Sequence, residues 1–542
     1  MTASRTSKLR TYARFLRALP GYFSTRITLN DARGIIQKRL EHREDNFLEL
    51  IEHRILGNPR SPYIPMLRIA GCELGDLRDM VRQKGLEATL RALREAGVYL
   101  TFDELKGREP IVRSGQVIES EPRDFNNPFL SAFLEGQTGG SSGAPTTVPV
   151  SHHNLLDDAP GLMVYRDAHG VLDVPLAIWR LILPASDGMS VLLSSTYFDS
   201  VAEKWFWQGT TRSAGLSLWW RLETYGVILI VRLLGVPAPW PQNVPLDQAV
   251  TVARWAVGAV RAHGACLVST YPSMALRVSV AAQEHGLDLT GVTFTGGGDP
   301  PTEARVRGIQ QSGAKWVPQY AMAEIGVAGL GCAQPADGND NHLLKDVVAV
   351  VQHPRPLPGS GANVDMFYFT TLLPSAPKVL LNADVDDFGV LEERHCGCPL
   401  EALGLTTHVR HIRSLSKLKA EGMTIEGSSM VHVLEEVLPA RFGGTPLDYQ
   451  LVEEQDNQGF TRLSLRISPA VKIDDENAVL EAMRQALSGT WTQADMAVWA
   501  QAQTLRVQRA QPIPTASGKF LPLVRHKVTE TSVTDREEED RE

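Results

Sequence analysis

Between residues 171 and 400 the chain alternates short β-rich runs with helical patterns, and this alternation narrows the possible folds more than any other feature. The runs VPLAIWRLIL (174–183), ACLVST (265–270) and GVTFTG (291–296) read as strands. The runs MALRVSVAAQEHG (274–286) and PTEARVRGIQQSG (301–313) carry helical spacing. Strands separated by helices favour parallel pairing, so an α/β fold is predicted, with a largely parallel sheet flanked by helices. Ahead of it, residues 30–106 repeat apolar side chains three and four apart and are predicted to be helical. A chain of 542 residues exceeds one ordinary core. From about residue 412 the pattern changes to strand-like 431–438, 448–455 and 462–468 followed by helical 475–489, which suggests a smaller α+β unit. The expected organisation is a large multi-layer domain over 1–411, a small C-terminal domain over 412–526 and an acidic disordered tail over 527–542.

Composition removes several classes of function. A formal net charge of −8 supplies no whole-protein field for nucleic acid. Five cysteines are too few for a disulfide scaffold in a chain this long, and a reducing cytoplasm is the simplest setting. Residues 1–30 carry Arg5, Lys8, Arg10, Arg14, Arg17 and Arg26 with no acid and no apolar signal core. That pattern fits a transit peptide, a peripheral membrane-surface helix or a basic first helix packed on the domain. The most apolar run, 216–235, is broken by Arg221, Glu223 and Arg232, so a buried helix or pocket wall is expected there rather than a membrane span.

Three segments carry candidate chemistry. Thr138, Gly139, Gly140, Ser141, Ser142 and Gly143 open the run TGGSSGAPT, where glycines bring backbone N–H groups close to an anion and hydroxyls add donors. The run lacks the Gly-Lys-Ser/Thr ending of a Walker A loop, and alone it reads equally well as a linker. Gly297, Gly298 and Asp299 follow a strand-like run and precede a helix, the position where open α/β sheets bind ligands. Glu324 follows the short β run that contains Tyr320, Ala321 and Met322, and a carboxylate there suits Mg²⁺ on a triphosphate. Near the C-terminus Lys519, after Ser-Gly, is suited to reach a phosphate or carboxylate. Taken singly, Glu324 and Lys519 are ordinary surface residues.

The order and spacing of these pieces resemble the adenylate-forming superfamily of acyl-CoA synthetases, adenylation domains and luciferases, and within it the phenylacetate–CoA ligase-like branch. TGGSSGAPT is similar to the family's SSGTTGxPT loop, Gly297-Gly298-Asp299-Pro300 to its GGEP and Tyr320–Glu324 to its YGxTE. The resemblance spans roughly 55–525 and implies ATP and AMP as ligands, with Tyr320 on adenine, Glu324 on Mg²⁺, Asp384 on the ribose hydroxyls and Arg413 near the ribose at a hinge. It implies that the smaller domain is a mobile cap bringing Lys519 to the reacting groups, with Gly422 on the thiolation face. The implied activity activates an organic acid to an acyl-adenylate and transfers it to a thiol, CoA first, with a carrier protein or an amine as alternative acceptors. Ala323 stands where the family has Thr or Ser, and Ala144 where this branch often has lysine, so a catalytically weak nucleotide-binding protein is the other reading. Trp205, Trp207, Trp219 and Trp220 hint at an aromatic or fatty acid, although core packing is their commoner use. Oligomeric state is not encoded in any of these motifs.

Cys332, His342, Cys396 and Cys398 form a second constellation. Three thiolates and one imidazole suit a structural, tetrahedral Zn²⁺, and the resemblance extends to these cysteines. Cys72 and Cys266 read as core.

Overall fold

The computed structural model describes residues 5–525 except 131–132, 138–146, 199, 209–217, 299–300, 357–362, 415–416, 421–422, 427–429, 431–432, 445–447, 456–460, 488–504 and 514–522. Residues 5–105 are largely helical, as their apolar spacing dictates. Helices Leu29–Glu41, Leu74–Lys84 and Leu86–Glu95 each bury one face, through Ala32 and Ile36, Leu77 and Val81, and Leu86, Leu90 and Leu93 respectively. Thr28 starts the first of them with a reciprocal cap to Asp31, which satisfies N–H groups the helix itself leaves unpaired. The basic helix Arg5–Ser24 packs on the domain, with Phe15, Leu19 and Tyr22 buried and the Tyr22 hydroxyl donating to the Leu193 carbonyl at 2.9 Å.

A twelve-stranded sheet follows. Its first half is parallel, in the order Pro241–Asn243, Lys204–Trp207, Leu176–Trp179, Cys266–Ser269, Val292–Gly296 and Lys315–Met322. Helices Pro272–Glu284 and Glu303–Gln311 make the crossovers between the last of these. At Lys315–Met322 the sheet changes hand: the next strand, Gly326–Gly331, returns antiparallel through a tight turn. Asn341–Leu343, Thr407–Ser414, Ala383–Glu393, Asn363–Thr371 and Val348–Pro356 continue antiparallel to the far edge. An inner parallel strand is buried on both faces and therefore reads as an unbroken apolar run, as the fully buried Leu176–Trp179 does.

The C-terminal segment forms a four-stranded sheet from Tyr449–Gln455, Thr461–Ile467, Leu505–Arg509 and Leu523–Arg525, with helix Glu476–Leu487. The strand Thr407–Ser414 runs through residue 412, so the large sheet continues past the expected domain boundary to Ser414.

One local expectation fails. The sequence pattern predicts a strand over 431–438, but Val433–Val437 is a π-helical turn that runs into helix Leu438–Phe442. Val433, Leu434 and Leu438 are buried while Glu435 and Glu436 point away, a spacing of four that suits helix and breaks the alternation of a strand. Helix Leu218–Leu233 is only half buried: Val227, Ile228 and Val231 face the core, whereas Trp219, Leu222, Leu229 and Leu233 are exposed. No helix among the described residues is long and apolar enough to cross a membrane.

Candidate active site and a cysteine–histidine centre

The change from parallel to antiparallel pairing at Lys315–Met322 creates a switch point, where loops diverge and leave a crevice at the carboxyl ends of strands. Gly297 and Gly298 lie there, directly after Val292–Gly296. A Cβ on Gly297 would fall 2.2 Å from the Gln319 carbonyl oxygen, and one on Gly296 would fall 1.9 Å from that of Thr270. Only glycine lets three strand ends converge this closely. Asp299 and the loop residues Thr138, Gly139, Gly140, Ser141, Ser142 and Gly143 lie outside the described residues, although the loop's flanks pair as a hairpin up to Gln137 and Thr147. Lys519 and Gly422 also lie outside them.

Tyr320 is buried on the switch strand, its ring tilted against Phe369 at 6.1 Å between centroids. Its hydroxyl donates to Asp387 Oδ2 at 3.0 Å, and Ser414 Oγ donates to Asp387 Oδ1. Burial first, and the Asp387 carboxylate second, push the Tyr320 phenol well above its ordinary range, so it remains a donor. Asp384 is fully buried three residues earlier, where it accepts from Arg355 Nη1 at 3.1 Å and from the Asp386 N–H at 2.6 Å. The carboxylate joined to Tyr320 is thus Asp387, which sequence pattern does not separate from its neighbours in the run DVDD. Arg413 is exposed one residue before Ser414, paired in register with Phe388. Ala321 and Met322 close the switch strand, Ala321 exposed and Met322 half-buried.

Glu324 occupies the turn after that strand, and it is already engaged: Lys106 Nζ lies 3.0 Å from its Oε1, with both side chains largely buried. Lys106 is held in place by the short helix Phe102–Leu105. Thr101 and Glu104 cap that helix reciprocally, and the Glu104 carboxylate takes Arg113 at 2.7 and 2.9 Å. Lys378 stands beside this pair, its backbone N–H donating to the Glu324 carbonyl at 3.1 Å. Burial lowers the Lys378 amine to about 8, opposed by Glu324 and reinforced by Lys106. Sequence pattern assigns Lys106 only to the helical N-terminal region, so its role emerges from tertiary contact alone. Arg180 is a further residue without a sequence signal. It is buried beside Gly296, donating to Ser269 Oγ at 3.2 Å, to the Thr270 carbonyl at 3.0 Å and to Asp187 at 3.1 Å.

The second constellation is assembled as well. His342 Nε2 lies 3.1 Å from Cys398 Sγ and 3.6 Å from Cys396 Sγ, and Cys332 is hydrogen-bonded within the same sulfur cluster. The other ring nitrogen, Nδ1, is 2.6 Å from the Leu405 carbonyl oxygen, which only accepts, so the proton sits on Nδ1 and the lone pair of Nε2 faces the sulfurs. That is the tautomer a metal-ligating imidazole adopts. Bond lengths of about 2.3 Å to sulfur and 2.0–2.1 Å to nitrogen place tetrahedral ligand atoms roughly 3.6 Å apart, close to these separations. The hydrogen bond from Cys332 lowers the Cys398 thiol, against the burial that raises it and with help from His342, while the same bond pushes Cys332 up. Cys266 is a buried core residue; Cys72 is half-buried and packs against the core.

No family profile matches the sequence, and no curated protein matches it. The fold does have solved counterparts. A 2-hydroxyisobutyryl-CoA ligase, captured with its acyl-adenylate and CoA in the thioester-forming state, superposes with a TM-score of 0.54 at 15% identity, covering 90% of each chain. The amide bond synthetase McbA from Marinactinospora thermotolerans gives 0.41 at 13% identity, covering 85% of this chain and 92% of its own. The first of these likenesses establishes the fold alone: the chain shares the fold of that 2-hydroxyisobutyryl-CoA ligase.

Proposed function

We propose that the protein activates a carboxylic acid with ATP, forms an acyl-adenylate with release of pyrophosphate, and passes the acyl group to a thiol, CoA being the first candidate. One observation carries this reading: at the switch point the fold brings together a glycine turn too tight for any Cβ, a buried tyrosine joined to an aspartate, and the turn bearing Glu324. The glycine turn and Tyr320 form a slot for a planar base, and Asp387, joined to Tyr320, takes the ribose role that the motif resemblance gave to Asp384. Arg413, at the end of its strand, stands beside that position. The loop 138–143 wraps the phosphates with backbone N–H groups and hydroxyls. A magnesium ion, when bound, spreads the negative charge that builds on the triphosphate. Glu324 fits such an ion by type and position, but its Oε1 is held by Lys106, so loading requires that lysine to move off the carboxylate and onto a phosphate. Lys519 completes the site from a C-terminal cap domain that turns after Ser414. Cys332, His342, Cys396 and Cys398 hold a structural zinc ion, supported by the His342 tautomer.

The test is acid-dependent exchange of labelled pyrophosphate into ATP across a panel of aromatic and aliphatic acids, followed by CoA, carrier proteins and amines as acceptors. Exchange with at least one acid is expected, reduced about 10²–10³-fold in Lys519→Ala with the fold intact. The second reading, a nucleotide-binding protein with weak catalysis, is favoured by the Lys106–Glu324 pair and by Ala323. ATP binding without exchange for any acid selects it.

A further inference from the structure

His408 pairs in register with His342 across two antiparallel strands, and the two rings lie 4.1 Å apart. The ligand-bearing atoms of Cys332, His342, Cys396 and His408 all fall within 4.8 Å of one another, although Cys398 is the fourth residue that sequence pattern supplies. His408 is fully buried. Its Nδ1 lies 2.6 Å from Asp340 Oδ1, and Asp340 also takes Arg394 and the Ala336 N–H. With a carboxylate this close the ring proton sits on Nδ1, which leaves Nε2 buried and without a hydrogen-bond partner. A buried polar atom in that state carries a desolvation cost unless something binds it. An imidazole whose far nitrogen is fixed by a carboxylate is also the arrangement that orients and strengthens a metal ligand.

We propose that His408 is a fifth donor of the cysteine–histidine centre. Two tetrahedral ligand sets then share Cys332, His342 and Cys396 and differ in whether Cys398 or His408 completes the four. Charge makes the two sets comparable. Three thiolates on a divalent ion leave one net negative charge in a buried site, whereas two thiolates and two imidazoles leave none. Arg394 Nη2, 3.5 Å from Cys332 Sγ, offsets the charge of the first set. The centre therefore retains its metal when Cys398 is lost. This inference rests on the zinc reading above and extends it.

The experiment uses the full chain, loaded with zinc or cobalt(II), in wild type, Cys398→Ser and Cys398→Ser/His408→Ala. Metal content, and the rate of metal transfer to a chromophoric chelator, are the readouts. Wild type and Cys398→Ser are expected to hold about one ion per chain. In the cobalt form of Cys398→Ser the sulfur-to-metal charge-transfer band should lose about a third of its intensity while the tetrahedral visible bands persist. Adding His408→Ala should speed metal release about 10–100-fold. A Cys398→Ser protein that is folded and empty, or a double variant that releases metal no faster than Cys398→Ser, overturns the inference and leaves the zinc reading standing. A wild type that takes up no zinc overturns both. If Cys398→Ser does not fold, the rate of metal release from His408→Ala decides: faster release than from wild type supports the fifth donor, and release at the wild-type rate refutes it.

Discussion

One pair of strands, Ala383–Glu393 and Thr407–Ser414, carries two very different sites at its two ends. At one end Asp387 faces Ser414 in register and meets Tyr320; at the other Glu392 faces His408, with Cys396 and Cys398 just beyond. The two ends are separated by the six residue-to-residue steps from His408 to Ser414, roughly 20 Å of extended chain. The cysteine–histidine end is closed and self-contained, every member buried or half-buried and bonded to another. The cleft end is assembled from strand ends and a turn, and one of its carboxylates is held by a lysine. The first arrangement suits holding a fold together. The second suits groups that must exchange partners when a ligand arrives.

That contrast breaks if variants at the two ends have the same consequences. The largest effect is expected at the closed end. Cys332→Ser/Cys396→Ser, or a strong chelator, should lower the unfolding midpoint by roughly 10 °C, read by calorimetry. Next comes Asp387→Asn at the cleft end, which should cut pyrophosphate exchange about 100-fold at a fixed low ATP concentration with the midpoint little changed. Equal loss of stability in both variants would erase the distinction between the ends.

A smaller effect sharpens the picture of the cleft. Lys106→Met removes the cation on Glu324, so the magnesium concentration for half-maximal exchange should fall about 3–10-fold. An unchanged magnesium requirement would show that Lys106 does not compete for that carboxylate.

The smallest effect concerns Asp158, a half-buried residue whose Oδ1 accepts the Val327 N–H at 3.4 Å beside the turn that bears Glu324. Burial, and then the Asp157 and Asp346 carboxylates, raise its carboxyl to about 8, opposed by the Val327 N–H. The folded chain therefore keeps a proton that the unfolded chain has released above the ordinary carboxyl range, and stability contributed here falls as pH rises from about 4 to about 8. Asp158→Asn removes this penalty, so its midpoint should exceed that of wild type by about 2–4 °C at pH 8 and converge with it near pH 4. A gain that is independent of pH would contradict the protonated state.

The same contrast explains what the sequence made legible. Cysteine is rare in this chain, so four chelating residues could be grouped from type and spacing, and the structure brings all four together. His408 escaped because its link to the centre is cross-strand register, which no local spacing encodes. At the cleft end, the glycine turn and Tyr320 were readable as motifs on strands whose apolar runs were themselves clear. Asp387 was not separable from Asp384 and Asp386, because acids of one type recur in a single run and only folding decides which meets Tyr320. Lys106 and Arg180 were invisible for a related reason: an ordinary cation acquires its role from a partner more than 200 residues away, as Lys106 does with Glu324, or from strand ends that converge, as around Arg180. The segment 431–438 shows the limit of periodicity over eight residues, where the apolar residues of the run fit either strand or helix until packing decides which of them are buried.

The central claim is that the switch point binds an adenylate. A crystal structure of the protein with AMP or a stable acyl-adenylate analogue tests it most directly. The expected result is adenine lodged between the 296–298 turn and Tyr320, with the ribose hydroxyls on Asp387. A nucleotide bound elsewhere, or a switch point left empty at saturating ligand, would contradict the account.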